Sequence, residues 1–480
     1  MAQRSSLEQL RNVTEADYVV ILEGETFDGL YQNKGGDWQI LSHTSINLAW
    51  FEEDFKVTAL KRVLAINKSK DLGYAVYFGD TNLVISEYLV CDRQVFWGGG
   101  KICPDASQND FALNVSGDHN VFLDLVFEEK TFCKVLLEVN GNHNRVENCQ
   151  FLKARKSTST RVIYSDRFLN ISNRKGKGNR VLSCKFDNGR IGVALEGNYQ
   201  IRDCEVSNCI MGLLLRPSSI GSEICHNLIK DNNVNHKSGA DGILAQRNVT
   251  QLHIHHNTIL NSGEHGIYFQ GDNSVLEKNI VQDNFKSGIK LASYNTNLYP
   301  HEGMAPRFYV GHANKILNNS CENNCRDTKD QSNAGIYLQA PLINIQTKGN
   351  FCSNNTYGIR STSLAKLKPE EFDTKAQLRD LIFDGNEAFN TKKSSFYIEG
   401  ETGIVIQNNR MDSLLTNAKS TKHRIQAVLV KGNLIQEVLV LNRAEKAQIT
   451  NNSIGKISII SNSQGREHRI ESNKDLQSTN

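Results

Sequence analysis

Two short patterns recur and interleave along this chain, and they restrict its fold more than any other feature. The first, hydrophobic-x-x-Asn/Cys-x-hydrophobic, sets a column at Cys149, Cys184, Cys204, Asn227, Asn257, Asn279, Asn319, Asn350, Asn386, Asn409, Asn433, Asn452 and Asn473. Seven of the twelve spacings lie between 19 and 24 residues, and the longer ones read as the same unit with a loop inserted. The second, Gly-apolar-x-apolar, runs through Gly192–Leu195, Gly212–Leu215, Gly242–Ala245, Gly266–Phe269, Gly288–Leu291, Gly335–Leu338 and Gly358–Ser361. A period of this length without helical patterning means stacked β-coils, each with at least two short alternating strands and an Asn/Gly-rich turn. Asn side chains repeated coil upon coil can bond to one another as a ladder along the axis. Cys at the first three positions fills the same interior row without the amide. A β-sandwich has no reason to hold two columns in register over so many repeats. The expected fold is all-β, a right-handed parallel β-helix.

The solenoid needs a cap, because an open terminal coil exposes apolar surface and strand edges. Residues 52–69 predict one: Phe55, Leu60, Val63, Leu64 and Ile66 fall near one face of a helix, with Asp54 as its N-cap. Strands follow at Ala75–Phe78, Leu83–Ser86 and Val95–Ile102, and Tyr18–Leu22 is the clearest strand upstream. The expected organisation is a small β element over residues 1–50, the capping helix and first strands over 51–110, and the β-helix over 111–480.

Composition excludes several classes. With 55 Lys+Arg against 52 Asp+Glu there is no dominant field, so no nucleic-acid partner is expected. No apolar run approaches the length of a membrane helix, so no membrane insertion is expected, and the opening residues predict no signal peptide. Eleven cysteines sit mostly inside apolar runs. The close pairs Cys204/Cys209 and Cys321/Cys325 lack the second pair or histidine of a zinc site, so neither a metal nor a cofactor is expected.

The order amphipathic helix, Ala75-Val76-Tyr77-Phe78, Leu83-Val84-Ile85-Ser86-Glu87, Trp97-Gly98-Gly99-Gly100 and then Asn-laddered coils resembles the pectate-lyase-like β-helix superfamily. Leu7–Leu10, Tyr18–Gly24 and Gly29–Tyr31 are similar to the segment that precedes the β-helix in bacteriophage tailspike depolymerases. The chain departs from tailspikes in showing neither a clear virion-binding head nor a large C-terminal trimerisation domain. The resemblance implies a homotrimer on the virion tail that acts on polysaccharide at the bacterial surface.

If the residues at Gly+1 and Gly+3 point inward, those at Gly+2 and Gly+4 point outward. The outward rows are then Ala194, Leu214, Leu244, Tyr268, Lys290, Tyr337 and Arg360, and Glu196, Arg216, Gln246, Gln270, Ala292, Gln339 and Thr362. Aromatic rings, amides and cations on one face suit sugar rings, hydroxyls and carboxylates. Three insertions border this face, residues 232–241, 292–313 and 362–380. The expected substrate-binding set is Glu196, Arg216, Gln246, Arg247, Gln270, Lys290, Tyr294, Tyr337 and Arg360.

Catalysis is expected from Asp241, Glu264, His265 and Tyr268. Asp241 and Glu264 fall on neighbouring coils before their glycines and, if both face out, form a glycosidase pair. A lyase would instead draw a base and a neutralising cation from His265, Tyr268, Lys290, Arg216 and Arg247. Asp241 and His265 serve equally well as turn residues that satisfy backbone groups. His253, His255 and His256 read as solvated or turn-stacked, since no carboxylate accompanies them in the sequence. The expected function is depolymerisation of bacterial capsule or O-antigen by hydrolysis or β-elimination. The alternatives are a uronate-polysaccharide lyase or C5-epimerase, and a non-catalytic glycan-binding β-helix.

Overall fold

The computed structural model describes residues 19–22, 29–34, 37–42, 45–48, 56–70, 75–79, 81–105, 110–130, 133–153, 167–172, 174–232, 239–292, 310–362, 378–400, 402–417, 425–442, 444–460 and 469–475. The chain divides into two compact units, one built from Met1–Ser157, Ile163–Gly189 and Asn198–Gln200, the other from Thr158–Val162, Arg190–Gly197 and Ile201–Asn480. The fold is a right-handed parallel β-helix with one helix near its start.

In the first unit, Val19–Leu22, Gly29–Lys34 and Asp37–Ser42 form an antiparallel sheet. The helix spans Lys56–Lys70 and buries Ala59, Leu60, Val63 and Leu64. Asp54 and Phe55, and the Ile66 side chain, lie outside the described residues. The helix also joins a polar ladder: Asn67 Nδ2 donates to Gln94 Oε1, and the backbone N–H groups of Gln94, Asn120 and Asn144 donate in turn to Oδ1 of Asn120, Asn144 and Asn179. Phe127, Phe151 and Phe186 stack inside this unit with centroids 4.8 and 4.7 Å apart, so the same ring repeats at one interior position on successive coils.

One coil of the second unit shows how the sequence builds the rest. His253–His255 is followed by His256 in the left-handed region at φ 52°, then Asn257, then the strand Thr258–Leu260. The residue before the ladder position takes positive φ in coil after coil, as at Asp203, His226, Lys278, Asn318 and Asn408, which turns the chain sharply within two residues. Asn257 closes the turn: its Oδ1 accepts the Asn227 N–H at 3.1 Å, and its Nδ2 donates to Asn279 Oδ1 and to the Ile224 carbonyl, both at 2.9 Å. The same backbone bond links every step of the expected column from Cys204 to Asn473. A further ladder, unread in the sequence, joins Ser262, Asn284, Asn324 and Asn355.

The glycine column has a steric cause. A Cβ on Gly242 would meet Ile259 Cγ2 at 2.6 Å and the Gly266 carbonyl oxygen at 2.7 Å, so backbone lies on backbone there. After each glycine the expected alternation holds inside: Ile243, Ala245, Ile267, Phe269, Ile289 and Leu291 are buried. All eleven cysteines are buried and none is in a disulfide.

Candidate functional site

The turn before the glycine column stacks three chemically different acceptors. Asp241, His265 and Ser287 occupy one position on consecutive coils, since Gly242 N–H donates to the His265 carbonyl and Gly266 N–H to that of Ser287. Asp241 Oδ1 accepts the His265 N–H at 3.1 Å, His265 Nδ1 accepts the Ser287 N–H at 3.1 Å, and Ser287 Oγ accepts the Ala334 N–H at 3.2 Å. Asp241 and His265 therefore do the backbone work that asparagines do elsewhere. Because Nδ1 accepts, the neutral His265 ring carries its proton on Nε2.

Electrostatics separates these groups. Burial, then the nearby Glu264 charge, raises the Asp241 carboxyl from the ordinary 3.8 to about 8. Burial, then the charges of Lys290 and Lys286, pushes His265 well below its usual range. Glu264 lies one coil on, in the next column: its Oε2 accepts the Gly239 N–H at 2.6 Å and its Oε1 pairs with Lys286 Nζ. Asp241 and Glu264 are thus on adjacent coils, as read, but Asp241 is only 1% exposed and does not present an open carboxylate.

The outward row is a single column. Backbone register aligns Ala194, Leu214, Leu244, Tyr268, Lys290, Tyr337, Arg360 and Tyr397 on successive coils. Its first three members are not exposed as expected. They are buried with Ile191 and Met211 in an apolar cluster against which Tyr268 packs. From Tyr268 onward rings and cations alternate. Lys290 Nζ lies 5.0 Å from the Tyr268 ring centroid and 5.5 Å from that of Tyr337. The Arg360 guanidinium lies 5.4, 4.7 and 5.2 Å from the Tyr337, Tyr357 and Tyr397 rings. Each cation is thus held between aromatic faces that favour its charge.

Polar partners fix the column. Arg360 Nη1 donates to the Ser332 carbonyl, while the buried Nε has no hydrogen-bond partner among the described residues. Tyr337 Oη bonds Thr362 Oγ1 at 2.8 Å, and the Tyr397 hydroxyl donates to Glu399 Oε1 at 3.0 Å. Burial raises both phenols, Tyr397 to about 12, so both keep their protons at neutral pH. Lys290 moves the other way, pushed down chiefly by burial and by the Lys286 charge.

The rest of the expected set is dispersed. Arg216 Nη1 reaches buried Glu196 Oε2 at 3.9 Å, and Gln246 and Gln270 follow on later coils at the same row. Arg247 lies in the turn after Ile243–Ala245, off the column. Tyr294, most of loop 292–313 and the middle of loops 232–241 and 362–380 lie outside the described residues. Sequence reasoning missed Tyr397, because Ser395 stands where a glycine was sought: a Cβ on Gly358 would meet its carbonyl. It also missed Lys286, which stands two residues before Gly288 as Glu264 stands two before Gly266.

The reading of the histidines needs correction. A carboxylate does accompany them: His255 Nε2 lies 3.0 Å from Glu223 Oε1, and His253 Nε2 lies 3.5 Å from Glu277 Oε2. Both partners come from adjacent coils, 32 and 24 residues away in the chain, because the parallel register sets Glu223 beside His253 and His255 beside Glu277.

Comparison with known proteins adds the fold's company. Residues 133–356, less than half of the chain, match the sequence model of a family described as periplasmic copper-binding protein (NosD). No curated protein sequence matches the chain. Among solved structures, the Dettilon tailspike protein is 16% identical at a TM-score of 0.48, covering 76% of this chain; the chain spans 66% of that protein. A periplasmic alginate epimerase is 14% identical at 0.45, covering 68% of this chain and 73% of the other. A GH87 α-1,3-glucanase from Streptomyces thermodiastaticus is 13% identical at 0.45, covering 91% and 69%. These structures are what the chain is similar to; its own fold is the right-handed parallel β-helix described above.

Proposed function

We propose that this chain is a polysaccharide-active enzyme that binds an acidic glycan along the column Tyr268–Lys290–Tyr337–Arg360–Tyr397 and cleaves it beside a uronate. The observation that carries this reading is the alternation of rings and cations in one register-locked row. Tyrosine faces suit sugar rings, and a guanidinium suits a carboxylate. Lys290, whose proton is loosened by burial, is the base. Once it has given up its own proton, its amine takes the proton α to the uronate carboxylate, the C4–C5 double bond forms, and the C4–O bond breaks. The leaving oxygen takes the Tyr268 hydroxyl proton, and solvent returns the proton from Lys290 to Tyr268.

Hydrolysis is the second reading, and what favours it is the placement of two carboxyl groups, Asp241 and Glu264, on adjacent coils. The test is incubation with bacterial capsule and O-antigen polysaccharides, following reducing ends and the ultraviolet absorbance of an unsaturated uronate. Both signals rise for elimination, and reducing ends alone mean hydrolysis. Binding without cleavage of any panel member overturns the enzyme reading and leaves a glycan-binding β-helix.

The narrower form of the proposal is a tailspike-like depolymerase of capsule or O-antigen, carried on a phage tail as a homotrimer. The opening stretch Leu7–Leu10, Tyr18–Gly24 and Gly29–Tyr31, which resembles tailspikes, supports it. Light scattering in solution should give three times the 53.8 kDa chain mass. A monomer sinks this narrower form without touching the glycan reading.

A further inference from the structure

The polysaccharide reading leaves unused a histidine patch on another strand row of the second unit. The strands Glu223–Cys225 and His253–His255 pair in parallel, with Cys225 opposite His255 and Glu223 opposite His253. Residues two apart on a strand share a face, so these four side chains form a square. The turn residues His226 and His256 stack beside it, rings 5.0 Å apart and 13° from parallel. Four of the chain's 13 histidines therefore gather on two neighbouring coils.

Their ligand atoms converge. One atom each from Cys225, His226 and His255 lie within 4.8 Å of one another, and His255 Nδ1 lies 2.8 Å from His256 Nδ1. With its Nε2–H donated to Glu223 at 3.0 Å, His255 keeps an Nδ1 lone pair aimed into the cluster. A carboxylate that fixes the tautomer and orientation of an imidazole in this way is the usual support of a metal-ligating histidine. One thiol and two imidazoles that converge form a borderline-to-soft donor set, and His256, whose Nδ1 adjoins that of His255, is the neighbouring imidazole placed to supply the fourth donor of a tetrahedral ion.

We propose that Cys225, His226, His255 and His256 bind one late first-row transition-metal ion, zinc(II) or copper(I), with Glu223 orienting His255. On binding, the metal–sulfur bond forms and the Cys225 thiol proton passes to solvent. The ion would tie two consecutive coils together through side chains outside the interior. His119 and His143 supply the internal comparison, since they stack with centroids 4.9 Å apart and are in no such cluster among the described residues.

The test uses the full chain, stripped with a chelator, dialysed, and titrated with zinc(II), with copper(I) under anaerobic competition, and with cobalt(II) as a spectroscopic probe. The expected result is one equivalent of zinc or copper bound, and a thiolate-to-cobalt absorption band that Cys225→Ser abolishes. His226→Ala and His256→Ala, both at exposed positions, should each weaken binding by about 10- to 100-fold, Glu223→Gln by about 10-fold, and His143→Ala not at all. If Cys225→Ser does not fold, the two exposed variants decide alone. Stoichiometry well below one, unchanged affinity in His226→Ala and His256→Ala, or equal weakening by His143→Ala would each overturn the proposal. Whether zinc or copper binds more tightly separates the two ions and leaves the site assignment standing.

Discussion

At the scale of single residues, one position does two jobs whose demands conflict. Asp241 accepts a backbone N–H as a ladder asparagine would, yet it carries an ionisable group where water is excluded. The fold holds its proton more tightly than the unfolded chain does. The stability this contributes is complete below the ordinary 3.8 and is lost as pH rises toward about 8. His265 works in the opposite sense, losing stability as pH falls below its usual 6.5, because the fold holds it neutral. Asp241→Asn keeps the accepting oxygen and removes the charge. Its melting temperature should come nearest to that of the wild type near pH 3 and exceed it increasingly toward pH 8, as followed by circular dichroism. A constant difference across that range would show that Asp241 does not titrate between folded and unfolded states. If hydrolysis is the chemistry, the same variant also loses cleavage while binding glycan normally.

At the scale of the coil, stability comes from repetition of a turn and a close backbone contact. Asn319 is the middle of its ladder: Oδ1 accepts from Asn279, Nδ2 donates to Asn350 Oδ1 and to the Leu276 carbonyl. Asn319→Ala strands buried polar groups on both neighbouring coils and should cost about 2–4 kcal/mol in urea unfolding. Asn473, at the end of the described ladder, should cost about 1 kcal/mol when changed to Ala, because solvent reaches it. Gly266→Ala sets a methyl against Val281 Cγ1 at 2.3 Å and the Gly288 carbonyl at 2.8 Å. It should destabilise by about 1–3 kcal/mol, the range for overpacking, with a shift in the urea midpoint as the readout.

At the scale of the whole molecule, near-neutral net charge coexists with a local row of cations, so affinity for glycan should depend on that row alone. An acidic polysaccharide should bind and a neutral one of equal length should not, with affinity falling as salt rises. Arg360→Gln should weaken binding by about 10- to 100-fold, the loss expected for a charged hydrogen-bond partner. Lys290→Gln should lower the cleavage rate by about 10²- to 10⁴-fold with a smaller effect on binding. Equal loss of binding and rate in Lys290→Gln would reduce that residue to a binding role.

The fold was legible because a solenoid repeats its local demands: every coil needs a residue tolerant of positive φ, an amide to close the turn, and no Cβ where backbones touch. Asn318-Asn319, Gly349-Asn350 and Gly432-Asn433 write those demands into the chain. The alternation after each glycine likewise identified Tyr268, Lys290, Tyr337 and Arg360 as one outward row. What lies across coils was not legible. Whether Asp241 is open or buried, which carboxylate meets His255, and that Tyr397 completes the row depend on groups 20 to 40 residues apart in sequence that parallel stacking sets one coil apart. A linear sequence records the period of such a stack, whereas only the folded stack decides which side chain faces which.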